Sequence, residues 1–212
     1  MYANPKITQK ILDDAVVNVE QWLAGKVSDK LSRIEATAFI SGNGVGKPFG
    51  ILTNVTASTS YDARNVQTVK STSSGAFTYA GLVNLQNALK EAYQGNAIFM
   101  GKRSSFGALM KIVDGQSRPI FNLTFDRNTG LPVGAVMGKQ FVFADDVPEA
   151  AADANSLIYG DFRAGYTIVD RAGIRVLRDP FTDKPYVCYY TTKRVGGDVV
   201  NTEAFKVQVL SA

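Results

Sequence analysis

The sequence contains no histidine, only one cysteine (Cys188) and no long uninterrupted run of apolar residues. Without histidine, histidine-based catalytic triads, histidine-centred zinc sites and the commonest general acid–base group at neutral pH are all excluded. A single cysteine cannot form a disulfide within the chain, and its place in the alternating segment PYVCYYTTKR predicts a buried thiol. No apolar run reaches the about 18 residues expected of a membrane-spanning helix, and we recognise no secretion signal. These absences disfavour most enzyme classes and predict neither membrane insertion nor secretion.

The overall composition is that of an ordinary soluble globular protein. A chain of 212 residues can form one or two domains with a substantial core. The net charge of +4 is modest, and most basic residues are interspersed with acidic ones. This pattern does not predict a dedicated nucleic-acid-binding protein. A local basic bias could face nucleic acid or acidic surfaces of neighbouring subunits, and it comprises Arg171, Arg175, Arg178, Lys184, Lys193 and Arg194.

The N-terminal part of the chain has the periodicity of an amphipathic helix. Apolar residues recur at spacings of three and four between Ile7 and Ala38, which predicts one continuous helix. Asn4 followed by Pro5 is a typical helix start, and a helix to about residue 40 would be roughly 50 Å long. Gly25 costs about 1 kcal/mol relative to alanine in a helix, so a kink or a break there is the alternative.

A glycine-rich elbow, SGNGVGKPFG, follows this helix and connects it to an apolar segment. The residues expected to set its conformation are Gly42, Gly44, Gly46, Pro48 and Gly50. Glycine accepts positive φ and proline restricts the backbone, so turn formation accounts for this composition. If Gly44 has positive φ, Gly44→Val should introduce strain of about 1 to 3 kcal/mol.

The elbow also has a weak similarity to a phosphate-binding loop. That loop would comprise residues 42–47 and would end at Lys47. Such a loop requires a hydroxyl residue after the lysine, a strand before it and a helix after it. Here Pro48 follows the lysine, and the predicted order is helix and then strand. Nucleotide binding is therefore only a remote alternative.

The rest of the chain predicts a mixture of short helices and strands. Helices are predicted at residues 78–94, capped by Thr78 and stopped by Gly95, and at about 104–113, ending at an Asp114–Gly115 turn. Strands are predicted at residues 66–70, 97–101, 119–123, 131–136, 140–144, 157–162 and 204–210. Residues 166–194 predict a meander, with turns at Ala172 and Gly173 and again at DPFTDKP.

The sequence contains two pairs of adjacent aspartates, the side-chain type that hard metal ions prefer. Asp13 and Asp14 are neighbours on a predicted helix and would not face one ion together. Asp145 and Asp146 have no further ligand nearby in sequence. We therefore predict no catalytic residue, no metal site and no cofactor.

Several distinctive segments occur in a fixed order along nearly the whole chain. They are ILDDA (11–15), AFISGNGVGKPFGIL (38–52), GKQFVFADDVP (138–148), IYGDFRAGYTIVDR (158–171), RDPFTDKPYVCYYTTKRVGGDVV (178–200) and EAFKVQV (203–209). In combination they resemble the major capsid protein of tailed bacteriophages with the Hong Kong 97 fold. The resemblance implies an α+β protein with a long spine helix, a peripheral domain sheet and a mixed α/β axial domain. Its peripheral domain would comprise residues 4–54 and 165–197, and its axial domain residues 55–164 and 198–212.

The resemblance also implies a function and a set of partners. The chain would be a structural shell protein and no enzyme, forming pentamers and hexamers of an icosahedral head that encloses double-stranded DNA. Its partners would be copies of itself, with a scaffold, a portal and a maturation protease, and non-specifically bound DNA at the shell interior. It would lie in the virion capsid, and in the host cytoplasm during assembly. The alternative within the same fold is an encapsulin-like or gene-transfer-particle shell.

Three departures from the family pattern qualify these expectations. The N-terminal arm and the extended loop that precede the spine helix in relatives are not seen, so we expect a truncated chain that assembles weakly. No cross-linking residue is assigned, because that loop would donate the lysine. Gln140 stands where many relatives have proline.

Overall fold

The structure is a computed structural model that describes residues 1–58, 61–121, 124–125 and 132–211. Its helices are α1 (Gln9–Asp14), α2 (Val19–Ser41), α3 (Tyr79–Ala88), α4 (Glu91–Gln94), α5 (Arg103–Met110) and α6 (Phe162–Gly165), with a 3-10 turn at Thr202–Ala204. Its first strands are β1 (Tyr2–Ala3), β2 (Lys6–Thr8), β3 (Val55–Thr56), β4 (Val66–Ser74), β5 (Ile98–Gly101), β6 (Thr124–Phe125) and β7 (Pro132–Val133). The remaining strands are β8 (Ala135–Val136), β9 (Lys139–Phe143), β10 (Asn155–Gly160), β11 (Tyr166–Asp179), β12 (Tyr186–Val199) and β13 (Phe205–Ser211).

The chain forms two compact units, each built from two stretches of sequence. The first unit comprises Met1–Phe49 and Ile168–Gly197, and the second comprises Gly50–Thr167 and Asp198–Ala212. None of the helices within the described residues is sufficiently long and apolar to cross a lipid bilayer.

The first unit combines helix α2 with a four-stranded sheet. Strand β12 lies between β11 and the two short N-terminal strands β1 and β2. Both short strands run antiparallel to β12, with Tyr2 opposite Thr192 and Ile7 opposite Val187. The long neighbours β11 and β12 each contain 14 residues.

The predicted continuous helix from residue 4 is wrong in its first half. Residues around Pro5 are extended because they pair with β12: the Tyr189 amide donates to the Pro5 carbonyl at 3.0 Å. After the short helix α1, the chain is non-helical until Asn18, whose side chain accepts a hydrogen bond from the Gln21 amide at 3.0 Å. Helix α2 then runs unbroken through Gly25 for 23 residues, roughly 34 Å. The interruption therefore lies before Asn18 and not at Gly25.

The predicted turn at Ala172 and Gly173 is also wrong. Both residues lie inside β11, which continues from Tyr166 to Asp179 without reversal. Gly173 is not among the glycines with positive φ, and it lies within a strand that neighbours β12. The meander is therefore one long hairpin, whose turn falls at residues 180–185 as the second predicted turn requires.

The second unit is built on a seven-stranded mixed sheet. The strand order is β3-β4-β13-β10-β5-β9-β8, so the strand nearest the C-terminus lies inside the sheet. Strand β13 is parallel to β4 and antiparallel to β10. A hydrophobic core lies against this sheet, and its largest fully buried members include Tyr159, Phe99, Leu82, Leu85 and Leu109.

The predicted helix at residues 78–94 is divided in two. Thr78 caps α3 as predicted, with its hydroxyl accepting from the Gly81 amide at 3.1 Å. The backbone is extended at Leu89 and Lys90, and the Gln94 side chain donates to the Leu89 carbonyl at 3.1 Å. A side chain thus replaces a backbone donor that a continuous helix would have supplied.

Smaller corrections concern the segment after α4. Helix α5 ends at Met110 and not at residue 113, because the Lys111 amide closes the last turn on the Ala108 carbonyl. In the strand predicted at residues 119–123, Pro119 forms only an isolated bridge with Val113, and residues 122–123 lie outside the described residues. The strand predicted at 131–136 is two short strands, β7 and β8, and residue 131 lies outside the described residues.

Candidate functional site

The glycine elbow begins where α2 ends, at a close approach of backbone to backbone. Gly42 donates its amide to the Ala38 carbonyl at 2.8 Å. A Cβ atom on Gly42 would lie 2.2 Å from the Pro48 carbonyl oxygen and 2.4 Å from that of Ala38. Because neither oxygen belongs to a flexible side chain, any larger residue would force the backbone apart.

The turn itself depends on two glycines with positive φ. Gly44 has φ +76° and Gly46 has φ +67°, the left-handed region that glycine occupies without strain. Asn43 and Phe49 form an antiparallel bridge across the turn, and the Asn43 side chain accepts from the Val45 amide at 3.2 Å. A Cβ on Gly44 would also lie 2.9 Å from Cδ2 of Phe49.

The exit from the elbow is buried. Pro48 is buried and supplies the carbonyl that Gly42 approaches. Gly50 is also buried, and its carbonyl accepts the Thr53 amide at 3.2 Å. Each of the five predicted elbow residues thus lies at or next to a turn, a bridge or a close backbone approach.

The geometry of the elbow opposes the phosphate-binding alternative. The loop follows the C-terminal end of α2, where unsatisfied carbonyls carry partial negative charge, and phosphate sites instead use helix N-termini. The chain leaves the loop through a turn and the short strand β3, not through a helix. Lys47 is exposed, and the next helix along the described part of the chain, α3, begins only at Tyr79.

A groove of about 510 Å³ lies beside the elbow, within the first unit. We call it the elbow groove and define it by the lining residues Ile34, Ala38, Gly46, Lys47, Pro48 and Arg194. Beneath it, Lys193 pairs with Glu35 at 2.6 Å between Nζ and Oε1, and both side chains are largely buried. The cations at its edge, Lys47 and Arg194, are exposed and form no ion pair with the part of the chain that the structure describes.

A second, polar cavity of about 280 Å³ lies in the second unit. Lys206 lines it, is only 5% exposed and donates to the side-chain oxygen of Gln67. Burial lowers the pKa of Lys206, while the nearby Glu203 carboxylate acts in the opposite direction. Glu203 itself pairs with Lys90 at 2.6 Å. The cavity holds charges of both signs, so it has no clear preference for one charged ligand.

The structure distributes the other candidate residues over the surface. Asp13, Asp14 and Asp145 are exposed, and among the described residues no three histidine, cysteine or carboxylate side chains lie together as metal ligands. Cys188 is buried, as predicted.

Two ion pairs within the first unit have no signal in the local sequence. One is the Glu35–Lys193 pair, and in the other Arg178 Nε lies 3.1 Å from Glu20 Oε1, with both side chains about half exposed. Arg178 and Lys193, two of the six residues of the basic bias, therefore form ion pairs within the chain. Their partners are more than 150 residues away in sequence, so no local pattern indicates these pairs.

Comparison with known proteins places this arrangement in a family. The model of the phage capsid family matches residues 1–210. The capsid of a native GTA particle, solved with C5 symmetry, is 39% identical, with a TM-score of 0.91; the alignment covers 100% of this chain and 72% of that one. A comparison with curated protein sequences gave no match.

More distant structures share the fold. The SrpI encapsulin from Synechococcus elongatus PCC 7942 is 16% identical with a TM-score of 0.72, over 99% of this chain and 72% of that one. The structure of Gordonia phage Cozz is 21% identical with a TM-score of 0.63, over 100% of this chain and 70% of that one. At these identities the likeness concerns the fold alone.

The family match and the 39% identity cover the whole chain and not only one unit. They identify a structural shell protein of the virion capsid, a class that self-associates and is not usually enzymatic. The helix, the long hairpin and the mixed sheet are the α+β architecture that the sequence resemblance implied. This chain belongs to the phage capsid family and has the Hong Kong 97-like capsid fold.

Proposed function

We propose that this chain is the major capsid subunit of a tailed phage or prophage, and that it assembles as pentamers and hexamers into an icosahedral head enclosing double-stranded DNA. The observation that carries this proposal is the 39% identity, over the whole chain, to the capsid protein of a particle solved with C5 symmetry. A subunit that forms closed rings by repeating one contact needs complementary surfaces and no catalytic group. We accordingly propose no catalytic residue and no cofactor.

A gene-transfer-particle shell is the second candidate, and a specific observation favours it. The GTA particle capsid is much more similar in sequence than the phage capsids and the encapsulin described above. The subunit would assemble in the same way in both cases, and the difference would lie in the DNA that is enclosed. An encapsulin-like shell has less support, since only the fold is shared at 16% identity.

We propose further that the two compact units correspond to the two capsid domains. The peripheral domain would hold α2 and the long hairpin, over residues 4–54 and 165–197. The axial domain would hold the seven-stranded sheet, over residues 55–164 and 198–212. The bounds of the compact units, which change at Phe49 and Gly50, at Thr167 and Ile168, and at Gly197 and Asp198, support this division. The elbow residues Gly42, Gly44, Gly46, Pro48 and Gly50 would then form the connection that leaves the spine helix.

The proposed assembly requires partners beyond copies of this chain. A scaffold, a portal and a maturation protease are the proteins we propose to act with it in the host cytoplasm. Packaged DNA would contact the shell interior without sequence specificity, as the modest net charge of +4 suggests.

Electron microscopy of particles from the complete gene, expressed alone and together with its genomic neighbours, tests the proposal. We expect closed shells with five-coordinated and six-coordinated capsomers, and double-stranded DNA that resists nuclease until the shells are opened. Sequencing that DNA separates the candidates, since a phage head holds its own genome and a gene-transfer particle holds host fragments. A product that stays monomeric in every condition, or a nucleotide affinity that disappears with Lys47→Ala, would contradict the proposal.

A further inference from the structure

The connection between α1 and α2 exposes apolar side chains beside two acidic residues. Val16 is 103% exposed and Val17 is 69% exposed, so neither packs substantially against its own chain. Asp13 and Asp14 precede them and are exposed. The Asp13 carboxylate accepts a hydrogen bond from the Gln9 side chain at 2.9 Å, and neither aspartate forms an ion pair within the described chain. We call residues 13–17 the acidic knob. The two adjacent exposed valines are the apolar part of this surface, and the two aspartates are its charged part.

The elbow groove has the complementary properties. Its lining includes Ile34, an apolar side chain that is 43% exposed, and the cations Lys47 and Arg194, which form no ion pair within the described residues. Glu35 also lines the groove, and its carboxylate is paired with Lys193. The groove therefore offers an apolar surface with two positive charges, and the acidic knob offers two valines with two negative charges. Such complementarity favours contact and opposes the pairing of either surface with itself.

The two surfaces lie at opposite ends of one helix. The acidic knob ends just before α2 begins at Val19, and the elbow groove starts at Ile34, roughly 22 Å farther along the helix. Asn18 caps the helix, and Gln9 at the start of α1 is held by the Pro185 carbonyl at 3.2 Å. The acidic knob therefore cannot fold back into the groove of its own chain, and a contact between the two needs two copies.

We propose that the acidic knob of one copy docks into the elbow groove of a second copy, with Val16 and Val17 against Ile34 and the two aspartates facing Lys47 and Arg194. This inference rests on the proposed function, because it names a contact by which shell subunits would associate. The contact is heterologous, since each copy would contact one neighbour through its acidic knob and another neighbour through its elbow groove. Repetition of a heterologous contact generates a ring when the rotation closes, as a capsomer requires.

Charge reversal and its rescue test the proposed contact in the complete gene product. Asp13→Lys with Asp14→Lys, and separately Lys47→Glu with Arg194→Glu, should each reduce the yield of assembled particles at least about tenfold. Combining all four changes in one chain restores opposite charges across the contact and should recover most of the yield. Asp29→Lys with Asp145→Lys changes the net charge as much as the first variant at exposed sites outside both surfaces, and should assemble normally.

Cysteine cross-linking supplies a readout that does not depend on charge. With Val16→Cys and Ile34→Cys in the same chain, mild oxidation of assembled particles should produce ladders of disulfide-linked subunits on a non-reducing gel. Each single substitution keeps the native Cys188 and should give no ladder, and Val176→Cys with Ile34→Cys controls for random contact. Particles that form normally without this ladder and without sensitivity to charge reversal would overturn the contact but leave the proposed function intact. Failure of the unsubstituted protein to form any particle would instead contradict the proposed function.

Discussion

Glycine is required at Gly42 and Gly44 for two different physical reasons, whereas Gly25 could be replaced. At Gly42 the φ angle of −71° is ordinary, but two backbone carbonyl oxygens leave no room for a Cβ. At Gly44 the limiting factor is a positive φ together with the ring of Phe49. Gly25 has helical geometry and no atom within 4 Å of an added Cβ. The sequence already separated Gly25, which lies within a helical pattern, from the two elbow glycines, and only the structure distinguishes Gly42 from Gly44.

Gly44→Val should therefore lower the free energy of unfolding by about 1 to 3 kcal/mol, because a β-branched residue is strained at positive φ. Gly25→Ala is the control, and it should raise stability by up to about 1 kcal/mol because alanine is favoured in a helix interior. Urea denaturation followed by circular dichroism measures both changes. A Gly44→Val protein as stable as wild type would show that the elbow relaxes at no cost.

Tyr166 predicts a pH dependence of stability in the alkaline range. Burial raises its pKa to about 12, with a further contribution from the Asp198 carboxylate. Between about pH 10, where an unfolded tyrosine ionises, and pH 12, the unfolded state releases a proton that the folded state retains. Stability conferred by this hydroxyl is complete below pH 10 and is lost as the pH rises towards 12.

The variant Tyr166→Phe should remove this loss. Wild type and variant should differ by a constant free energy of unfolding below pH 9, and the difference should shift in favour of the variant from pH 10 to 12. Denaturant midpoints measured at each pH provide the comparison, and other groups that titrate in this range cancel between the two proteins. Parallel curves over the whole range would contradict the prediction.

At the scale of elements, α2 depends on a cap that the apolar periodicity did not indicate. The spacing of three and four extends back to Ile7, yet residues 6–8 are extended because β2 pairs with β12, and α1 ends at Asp14 before α2 begins. Sheet pairing supplies hydrogen bonds and apolar contacts to residues far apart in sequence, and it outweighs a local preference. Asn18 then satisfies an amide that the new helix end leaves free.

Replacing Asn18 by alanine should cost about 1 kcal/mol of stability, because the Gln21 amide loses its acceptor. Asn18→Asp is the matched control and should preserve stability, since a carboxylate also caps and favours the positive end of the helix dipole. Thermal and urea unfolding of the three proteins provide the measurement. Equal losses for both variants would indicate that the Asn18 amide group acts elsewhere.

For the whole molecule, the interior position of β13 makes the second unit dependent on residues near the C-terminus. Phe205, Val207 and Leu210 are fully buried, and β13 pairs with β4 on one side and β10 on the other. The sheet therefore joins residues that are more than 130 apart in sequence, as in the register of Lys206 with Gln67. Loss of β13 would therefore leave β4 and β10 each without a neighbouring strand on that side.

Deletion of residues 205–212 should abolish cooperative folding of the second unit. We expect proteolysis throughout residues 50–167, detected by mass spectrometry of limited digests, and loss of the main urea transition. Deletion of Tyr2 and Ala3, which removes only the two-residue strand β1 at the edge of the smaller sheet, should change stability much less. A truncated protein that still resists digestion in this region would mean that β4 and β10 can close the sheet without β13.

The sequence alone determined what local physical chemistry controls. Thr78 capped its helix as predicted, and Gly44 and Gly46 take positive φ in the elbow, because a cap and a turn depend on neighbours within a few residues. The apolar run at 97–101 also indicated a strand, although its partners β9 and β10 are distant in sequence. The family and its fold were also evident in the sequence, since several distinctive segments keep their order along the chain.

Only the tertiary structure decided where long-range pairing overrides local preference. Residues 6–8 are extended because they pair with β12, and Ala172 and Gly173 lie within one unbroken strand. Lys193 forms an ion pair with Glu35. It also revealed that the acidic knob and the elbow groove lie at opposite ends of one helix. These features arise from contacts between residues far apart in the chain, whose energies no local pattern can report.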